Sequence, residues 1–453
     1  MWLELHLRRN LIHYKIEEMP ITLKLPSHVT RIEKEGKILF FNPDVPSWLV
    51  TNSNGALLLS MCDGKASVTD IVAALSDTAG EKAAAQARRF FNEAIASHLF
   101  EEPLPGEVPV KQEYQELTSV QLSISDQCNL NCRYCYATDR KESVYPHLQM
   151  DDYRRLVDGI QEMSCNVEFT LTGGEPLLNP DVFNLARYIR RKGASVDVLT
   201  NGTLITEKNI EEVEAAFDKV SISLDGSTAA LHDAFRGHGS HERTEHAIRL
   251  LESHRVPYRL SMTVNRLNIG DVEAMAHKYG DRMNFQPLFP AGNANRGTDI
   301  SISGREYYEA LKNASGVNPL GYCEATLDAS QQRRRCKCAV GGSEISISAT
   351  GDVYPCQLLH YPEFLMGNVH EKNIREIVSA SSVVEQCAAM VVDNIEGCRD
   401  CFLRYVCGGA CRARAYHECR NIMTSGTFCE YERRAFTDGI FSLYTSNLLD
   451  NHH

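Results

Sequence analysis

Thiol chemistry is the first question this 453-residue sequence poses: fourteen of its sixteen cysteines fall into two stretches, 128–135 and 323–429. Only Cys62 and Cys165 lie outside them. Disulfide frameworks that dense belong to small exported domains, and no apolar run follows Arg8 and Arg9 to make an export signal. In a reducing cytoplasm, the expected location, clustered thiols ligate metal or iron–sulfur centres. The first stretch is a triplet, Cys128-x3-Cys132-x2-Cys135. Three thiolates can occupy three irons of a cubane and leave the fourth iron open. Zinc is the competing reading, but it takes four ligands or a His partner, and no His lies within the triplet.

Such a loop needs a rigid base. It follows a strand pattern at 120–125, the first of a regular strand–helix alternation. Further strand patterns lie at 167–171, 195–200, 219–224, 258–264 and 283–288. Helical patterns fall between them at 151–163, 181–192, 206–216, 243–253 and 269–279. This alternation implies right-handed βαβ units on a parallel sheet. The expected fold class is α/β, a partial (β/α)6 barrel open on one side, with functional loops at the carboxyl ends of the strands. The expected division is an N-terminal unit at 1–103, a Pro- and Glu-rich linker at 104–117, the barrel at 118–315 and a cysteine-rich domain with a final helix at 316–453.

Three more loops fall at strand ends. Thr172-Gly173-Gly174-Glu175-Pro176 follows the second strand, Thr200-Asn201-Gly202 follows the third, and Ser223-Leu-Asp225-Gly226 ends the fourth. Singly, each could be an ordinary β–α turn. Together with the triplet, in register on successive strands, they resemble the radical S-adenosylmethionine (SAM) superfamily. The resemblance implies a [4Fe–4S] cluster on Cys128, Cys132 and Cys135, with the open iron chelating the amino and carboxylate groups of SAM. One electron then releases a 5′-deoxyadenosyl radical, and the protein contributes binding and orientation. Gly173 and Gly174 would let backbone carbonyls approach the SAM amine, with Glu175 and Pro176 completing that loop and Glu175 adding negative charge. Asn201 and Ser223 would contact ribose or carboxylate, Tyr134 would flank the adenine, and Asp225 joins the cofactor-binding set. Arg236 reads as a surface residue, with SAM or substrate contact as the alternative.

The second cysteine field runs Cys338-x12-Gly351-x4-Cys356, then Cys398-x2-Cys401-x5-Cys407-x3-Cys411, then Cys429. It resembles the SPASM extension of radical SAM enzymes that modify peptides and proteins. By that resemblance Cys398, Cys401, Cys407 and Cys429 hold one auxiliary iron–sulfur cluster, and Cys338, Cys356 and Cys411 the other, making three clusters in all, the auxiliary pair of [4Fe–4S] type. Cys336 and Cys323 compete for the remaining ligand position, or that iron is open to substrate. Structural zinc is the alternative, although x5 and x3 spacings do not make two zinc knuckles. Cys62, Cys165, Cys387 and Cys419 read as buried small hydrophobes or inert thiols. Gly351 reads as a hairpin turn that brings Cys356 into place.

Residues 24–100 combine strand patterns at 29–34, 38–42 and 47–51 with helical patterns at 56–61, 71–75 and 81–98, and Ser67-Val-Thr-Asp70 has capping-box spacing. From Asn42-Pro-Asp-Val-Pro-Ser-Trp48 through Cys62-Asp63-Gly64, the unit resembles the winged-helix-like precursor-peptide recognition domain typified by the pyrroloquinoline quinone chaperone. The resemblance implies a leader peptide added at the edge strand 47–51, flanked by the helix at 81–98. A packing module without a ligand is the plain alternative, with Trp48 as a core anchor.

Composition narrows the partners. Net charge is −12 with no long basic stripe, which disfavours nucleic acid, and no apolar run is long enough to span a bilayer. The expected function is maturation of a ribosomally made precursor peptide, served by a flavodoxin- or ferredoxin-type electron donor. Hydrogen abstraction from a peptide carbon would lead to a cross-link, first of all a cysteine thioether. Carbon–carbon or carbon–oxygen cross-linking, epimerisation and sulfatase-type protein modification are the alternatives, beside a non-catalytic iron–sulfur scaffold.

Overall fold

The computed structural model describes residues 21–102, 116–139, 143–295, 300–315 and 334–449. Cys323 and most of the Pro-rich stretch fall outside the described residues.

The N-terminal unit opens with β1 (Thr22–Lys24), followed by β2 (Thr30–Lys34), β3 (Lys37–Asn42) and β4 (Ser47–Thr51). The last three form an antiparallel sheet in the order β2-β3-β4. Three helices follow, Ser53–Ser60, Val68–Ala79 and Glu81–Ala96, and the second starts at a capping box between Ser67 and Asp70. β5 (Asp63–Ser67) pairs with β1, a ladder the sequence conceals because Asp63-Gly64 has turn composition. Side chains alternate faces along β3. Ile38 and Phe40, with Leu49, pack on Leu59, Ala94 and Leu99 of the unit's own helical layer. Leu39 and Phe41, with Val50, face the opposite way, into the rest of the protein. Both faces of this sheet are therefore covered.

The central sheet starts with six parallel strands in sequential order: β6 (Ser119–Ser123), β7 (Glu168–Thr172), β8 (Ser195–Thr200), β9 (Lys219–Ser223), β10 (Tyr258–Val264) and β11 (Met283–Pro287). Phe169 and Leu171, Val196 and Val198, and Val220 and Ile222 are essentially inaccessible, so alternate residues build the interior. Helices cover the outer side. On Val182–Arg191 the buried residues are Val182, Leu185, Ala186 and Ile189, a stripe at helical spacing.

The sheet does not stop at six strands. β12 (Glu344–Ile347) from the cysteine-rich region pairs in parallel with β6, and β13 (Asp352–Tyr354) and β14 (Gly367–Asn368) extend it antiparallel. Gly351 (φ +84°) occupies the β12–β13 turn. One edge of the expected open barrel is thus occupied by the cysteine-rich region itself. Within residues 118–315 two helices, Ala229–Arg236 and Gly304–Asn313, have no counterpart in the sequence reading, and the last described element is helix Cys429–Leu449.

Asn42 locks the N-terminal unit. Its side chain donates to Leu99 O (3.1 Å) and Glu101 O (2.8 Å) and accepts from the amides of Asp44 and Val45. Replacing Asn42 with Ala strands these groups, at a cost of about 2–4 kcal/mol. The denaturant midpoint followed by Trp48 fluorescence should fall accordingly; an unchanged midpoint would contradict this role.

Candidate active site

Residues 124–135, which carry the triplet, contain neither helix nor strand, so other segments must hold them. The backbone does part of this: Gly174 N donates to Ser125 O (2.7 Å), Glu175 N to Gln127 O (2.8 Å) and Arg133 N to Phe235 O (3.0 Å). Asn293 donates from its side chain to Cys132 O and from its amide to Cys135 O. Close approach explains the glycine pair. A Cβ on Gly173 (φ +141°) would lie 2.2 Å from Ser125 O, and one on Gly174 would lie 2.3 Å from Gln127 O. No other residue type fits this path.

Two buried carboxylates fasten the loops to one another. Glu175, 1 % exposed, accepts from Thr200 Oγ1 (2.7 Å), Asn201 N (2.9 Å) and Leu177 N (3.2 Å). Burial pushes its pKa up while those hydrogen bonds oppose the rise. Its carboxylate is thus committed to tying the Gly-Gly loop to the Asn201 loop, rather than standing free beside a ligand. Asn201 carries the tie onward, donating to Asn129 Oδ1 (2.9 Å) in the cysteine loop and accepting from Thr203. Asn129 in turn donates to Thr203 Oγ1 (2.8 Å).

Asp225, wholly buried, is the second carboxylate. It accepts from Tyr134 Oη, Arg236 Nε and Thr263 N. Its own amide donates to His232 Nδ1 (3.2 Å), and burial holds that imidazole neutral, with its pKa down at about 4. Arg236 is therefore not the surface residue its position suggested: it is 8 % exposed, ion-paired with Asp225 and set over the Tyr134 ring at 5.6 Å. A guanidinium with a buried carboxylate partner can be buried where a lone one could not. Nothing in the sequence links Arg236 to Asp225 until the helix Ala229–Arg236 turns it back.

Cys128, Cys132 and Cys135 stand within electrostatic range of one another, with Arg236 opposite Cys132. Burial pushes the Cys132 thiol up to about 11, against the pull of Arg236. A bound cation reverses that preference and favours thiolate. Two further sets form in the cysteine-rich region. Cys338, Cys356 and Cys411 stand within electrostatic range of one another, as do Cys398, Cys407 and Cys429, with Cys401 in range of Cys398 and Cys429. Cys336 stands within electrostatic range of Asp393 and Arg334 and packs beside Val392 and Ile395. The two-residue step from Cys336 to Cys338 thus spans two different neighbourhoods. Cys62 and Cys387 are buried, whereas Cys165 and Cys419 are exposed.

A cavity of about 1140 Å³ connects these groups, lined by the triplet at one end and by Cys338, Cys411 and Cys429 at the other. Tyr134, Gly173, Gly174, Asn201, Ser223 and Arg236 also reach it. Among the described residues, no three His, Cys, Asp or Glu side chains converge on a point where one metal ion could sit. Cubane ligands bind separate irons and need no such convergence. All-thiol donor sets opening on this cavity fit iron–sulfur clusters, with room beside the triplet for a small chelating cofactor.

Comparison with known proteins agrees. Residues 122–279 match the radical SAM superfamily, and residues 336–402 match the SPASM iron–sulfur cluster-binding domain. The AdoMet-dependent heme synthase of Nitratidesulfovibrio vulgaris is 30% identical over 69% of this chain and 92% of that protein. The chain belongs to the radical SAM superfamily. The subtilosin biosynthesis protein AlbA of Bacillus subtilis is 28% identical over 63% of the chain and 65% of its own length. The mycofactocin maturase MftC of Mycobacterium tuberculosis is 26% identical over 64% and 76%. Among solved structures, anSMEcpe with bound AdoMet superposes with TM-score 0.61 at 19% identity, covering 74% of this chain and all of that one. Streptococcus suis SuiB, solved with AdoMet, superposes with TM-score 0.56 at 13% identity over 90% of this chain and 99% of its own. Residues from 116 onward make up only about three-quarters of the sequence, so the SuiB superposition extends well into the N-terminal unit. As a radical SAM protein, the chain can be tested for cofactor binding directly. Gly174→Ala should lower the iron held at the triplet and weaken SAM binding at least ~10-fold, or about 1.4 kcal/mol, because its Cβ would displace Gln127 of the cysteine loop. Equilibrium dialysis on the reconstituted protein reads this out; wild-type affinity would refute the close-approach argument.

Proposed function

We propose that this radical SAM protein matures a ribosomally made precursor peptide by installing a cross-link, with a cysteine thioether as the product. The cavity carries this reading: it places the cysteine triplet and both further thiol sets around one space large enough for a peptide segment. Bound at the triplet, cluster and SAM supply a 5′-deoxyadenosyl radical that takes one hydrogen atom from a peptide carbon. Thioether formation also releases the thiol proton and one electron, and an auxiliary cluster held by one of the further thiol sets would supply the acceptor for that electron.

The chain's own residues bind and orient. Gly173 and Gly174 open their backbone to the SAM amine. Arg236 uses Nε on Asp225, and its terminal nitrogens make no hydrogen bond among the described residues, leaving them for the SAM carboxylate. Asn201 and Ser223 line the same wall for the ribose, and Tyr134 is fixed by Asp225 beside the adenine. Glu175 and Asp225 act through the residues they hold. The N-terminal unit binds the leader, which raises the effective concentration of the core peptide in the cavity. Electrons come from a flavodoxin- or ferredoxin-type donor. SuiB, solved with its precursor peptide SuiA, and AlbA, which serves bacteriocin biosynthesis, support the substrate class.

Heme synthesis is a second reading, favoured by the identity to heme synthases. Those matches cover about two-thirds of the chain and more than nine-tenths of the heme synthases, so about a third of this chain has no counterpart in them. Mass spectrometry after anaerobic incubation with SAM, reductant and a co-encoded short peptide separates the two. The maturase reading expects 5′-deoxyadenosine and a peptide lighter by two hydrogens with one cysteine blocked to alkylation. An unmodified peptide, together with heme formed from a tetrapyrrole precursor, would overturn it.

A further inference from the structure

The N-terminal unit touches the cysteine-rich region at a specific place. The sheet face formed by Leu39, Phe41 and Val50 packs on Leu403 and Val406, and on Ala435, Phe436 and Ile440 of the terminal helix. Leu403 and Val406 lie inside the Cys401–Cys407 segment, and the terminal helix begins at Cys429. Three of the four thiols in this set are therefore carried by segments that the N-terminal sheet presses on. Trp48 stacks on Phe41 (5.9 Å between centroids, 4° between planes), and Phe41 meets Phe402, the neighbour of Cys401, edge-on at 5.5 Å.

Polar contacts border the apolar patch. Asp44, in the turn between β3 and β4, pairs with Arg404, and Arg334 donates to Asp44 O (2.7 Å). Arg404 is only 14 % exposed, so removing Asp44 leaves a cation largely out of solvent with Asp393, at 3.8 Å, as its remaining carboxylate partner. Farther along, Lys34 pairs with Asp438 of the terminal helix (2.6 Å). The Cys401–Cys407 segment itself has one helical turn, Arg404–Cys407, too short to be stable alone. Its shape comes from what it packs against.

We infer that Asp44, Phe41 and Trp48 are positioning residues for the four-thiol site, so that the unit assigned to leader recognition also holds the geometry of one auxiliary centre. This rests on the reading of Cys398, Cys401, Cys407 and Cys429 as cluster ligands. Loss of the grip lets the Cys401–Cys407 segment relax, and a cubane needs all four sulfurs at fixed corners. The triplet shares none of these contacts and is held by its own loops.

The test uses the full-length chain, reconstituted anaerobically, as wild type, Asp44→Ala, Trp48→Ala, Trp48→Phe and Leu57→Ala. Leu57, on the same unit but 59 % exposed, is the control. Iron content, electron paramagnetic resonance and the midpoint potentials of the reduced centres are measured with and without SAM. Asp44→Ala and Trp48→Ala should lose about four irons per chain, or shift the potential of one SAM-insensitive centre. The SAM-sensitive signal should persist, Trp48→Phe should restore the lost centre, and Leu57→Ala should match wild type. Variants identical to wild type, or an equal loss of every signal, would overturn the inference. A wild-type chain with no SAM-insensitive centre would instead refute the cluster reading beneath it.

Discussion

An irregular loop must present three thiols at one mouth of a cavity, and the rest of the structure answers that constraint. Residues 124–135 have no ladder or helix of their own, so their backbone groups are satisfied by neighbouring strand ends. Glu175 and Asp225 in turn fasten the segments that make those bonds. Each is a carboxylate withdrawn from water whose penalty is offset by three donors, and each joins segments distant in sequence. Order in the cysteine loop is bought with buried charge. Parallel strands suit this scheme because they bring β6, β7, β8 and β9 to the same end of the sheet, where the four loops interlock.

The cysteine-rich region continues the sheet physically as well as chemically. β12 pairs with β6, the strand that feeds the triplet, so the region bearing Cys338 and Cys356 is hydrogen-bonded into the barrel. Arg414, three residues beyond Cys411, donates to Leu288 O at the end of β11 (2.9 Å) and lies over the Phe428 ring at 4.4 Å. These contacts close the far side of the cavity. The N-terminal sheet then presses on the segments around Cys401, Cys407 and Cys429 from outside. The N-terminal unit, the radical SAM core and the cysteine-rich region are thereby mounted on one continuous packing arrangement.

Much of this was legible in the sequence because the signals were local. Alternating apolar residues marked Ser195–Thr200 and Tyr258–Val264 with the bounds they have in the structure, and the Ser67–Asp70 capping box began the helix it implied. Loop motifs at strand ends located the cavity wall. What escaped depended on distant partners. Arg236 looked like a surface residue because its counter-ion, Asp225, is eleven positions away and meets it only through the eight-residue helix Ala229–Arg236. Glu175 looked like a ligand-facing charge because nothing local reveals that Thr200 and Asn201 will claim it. β12 was hidden by its length of four residues, and the remaining ligand position was left open between Cys336, Cys323 and substrate because sequence does not show that Cys336 and Cys338 enter different packing clusters.

The central claim is that the radical made at the triplet acts on a peptide lying in the shared cavity. Deuterium transfer tests this most directly: the reconstituted protein is given SAM, reductant and a precursor peptide deuterated throughout its core, and the isotopic content of the 5′-deoxyadenosine is measured. The account predicts 5′-deoxyadenosine carrying one deuterium, formed in step with modified peptide. 5′-Deoxyadenosine free of deuterium, produced at the same rate with and without peptide, would contradict it.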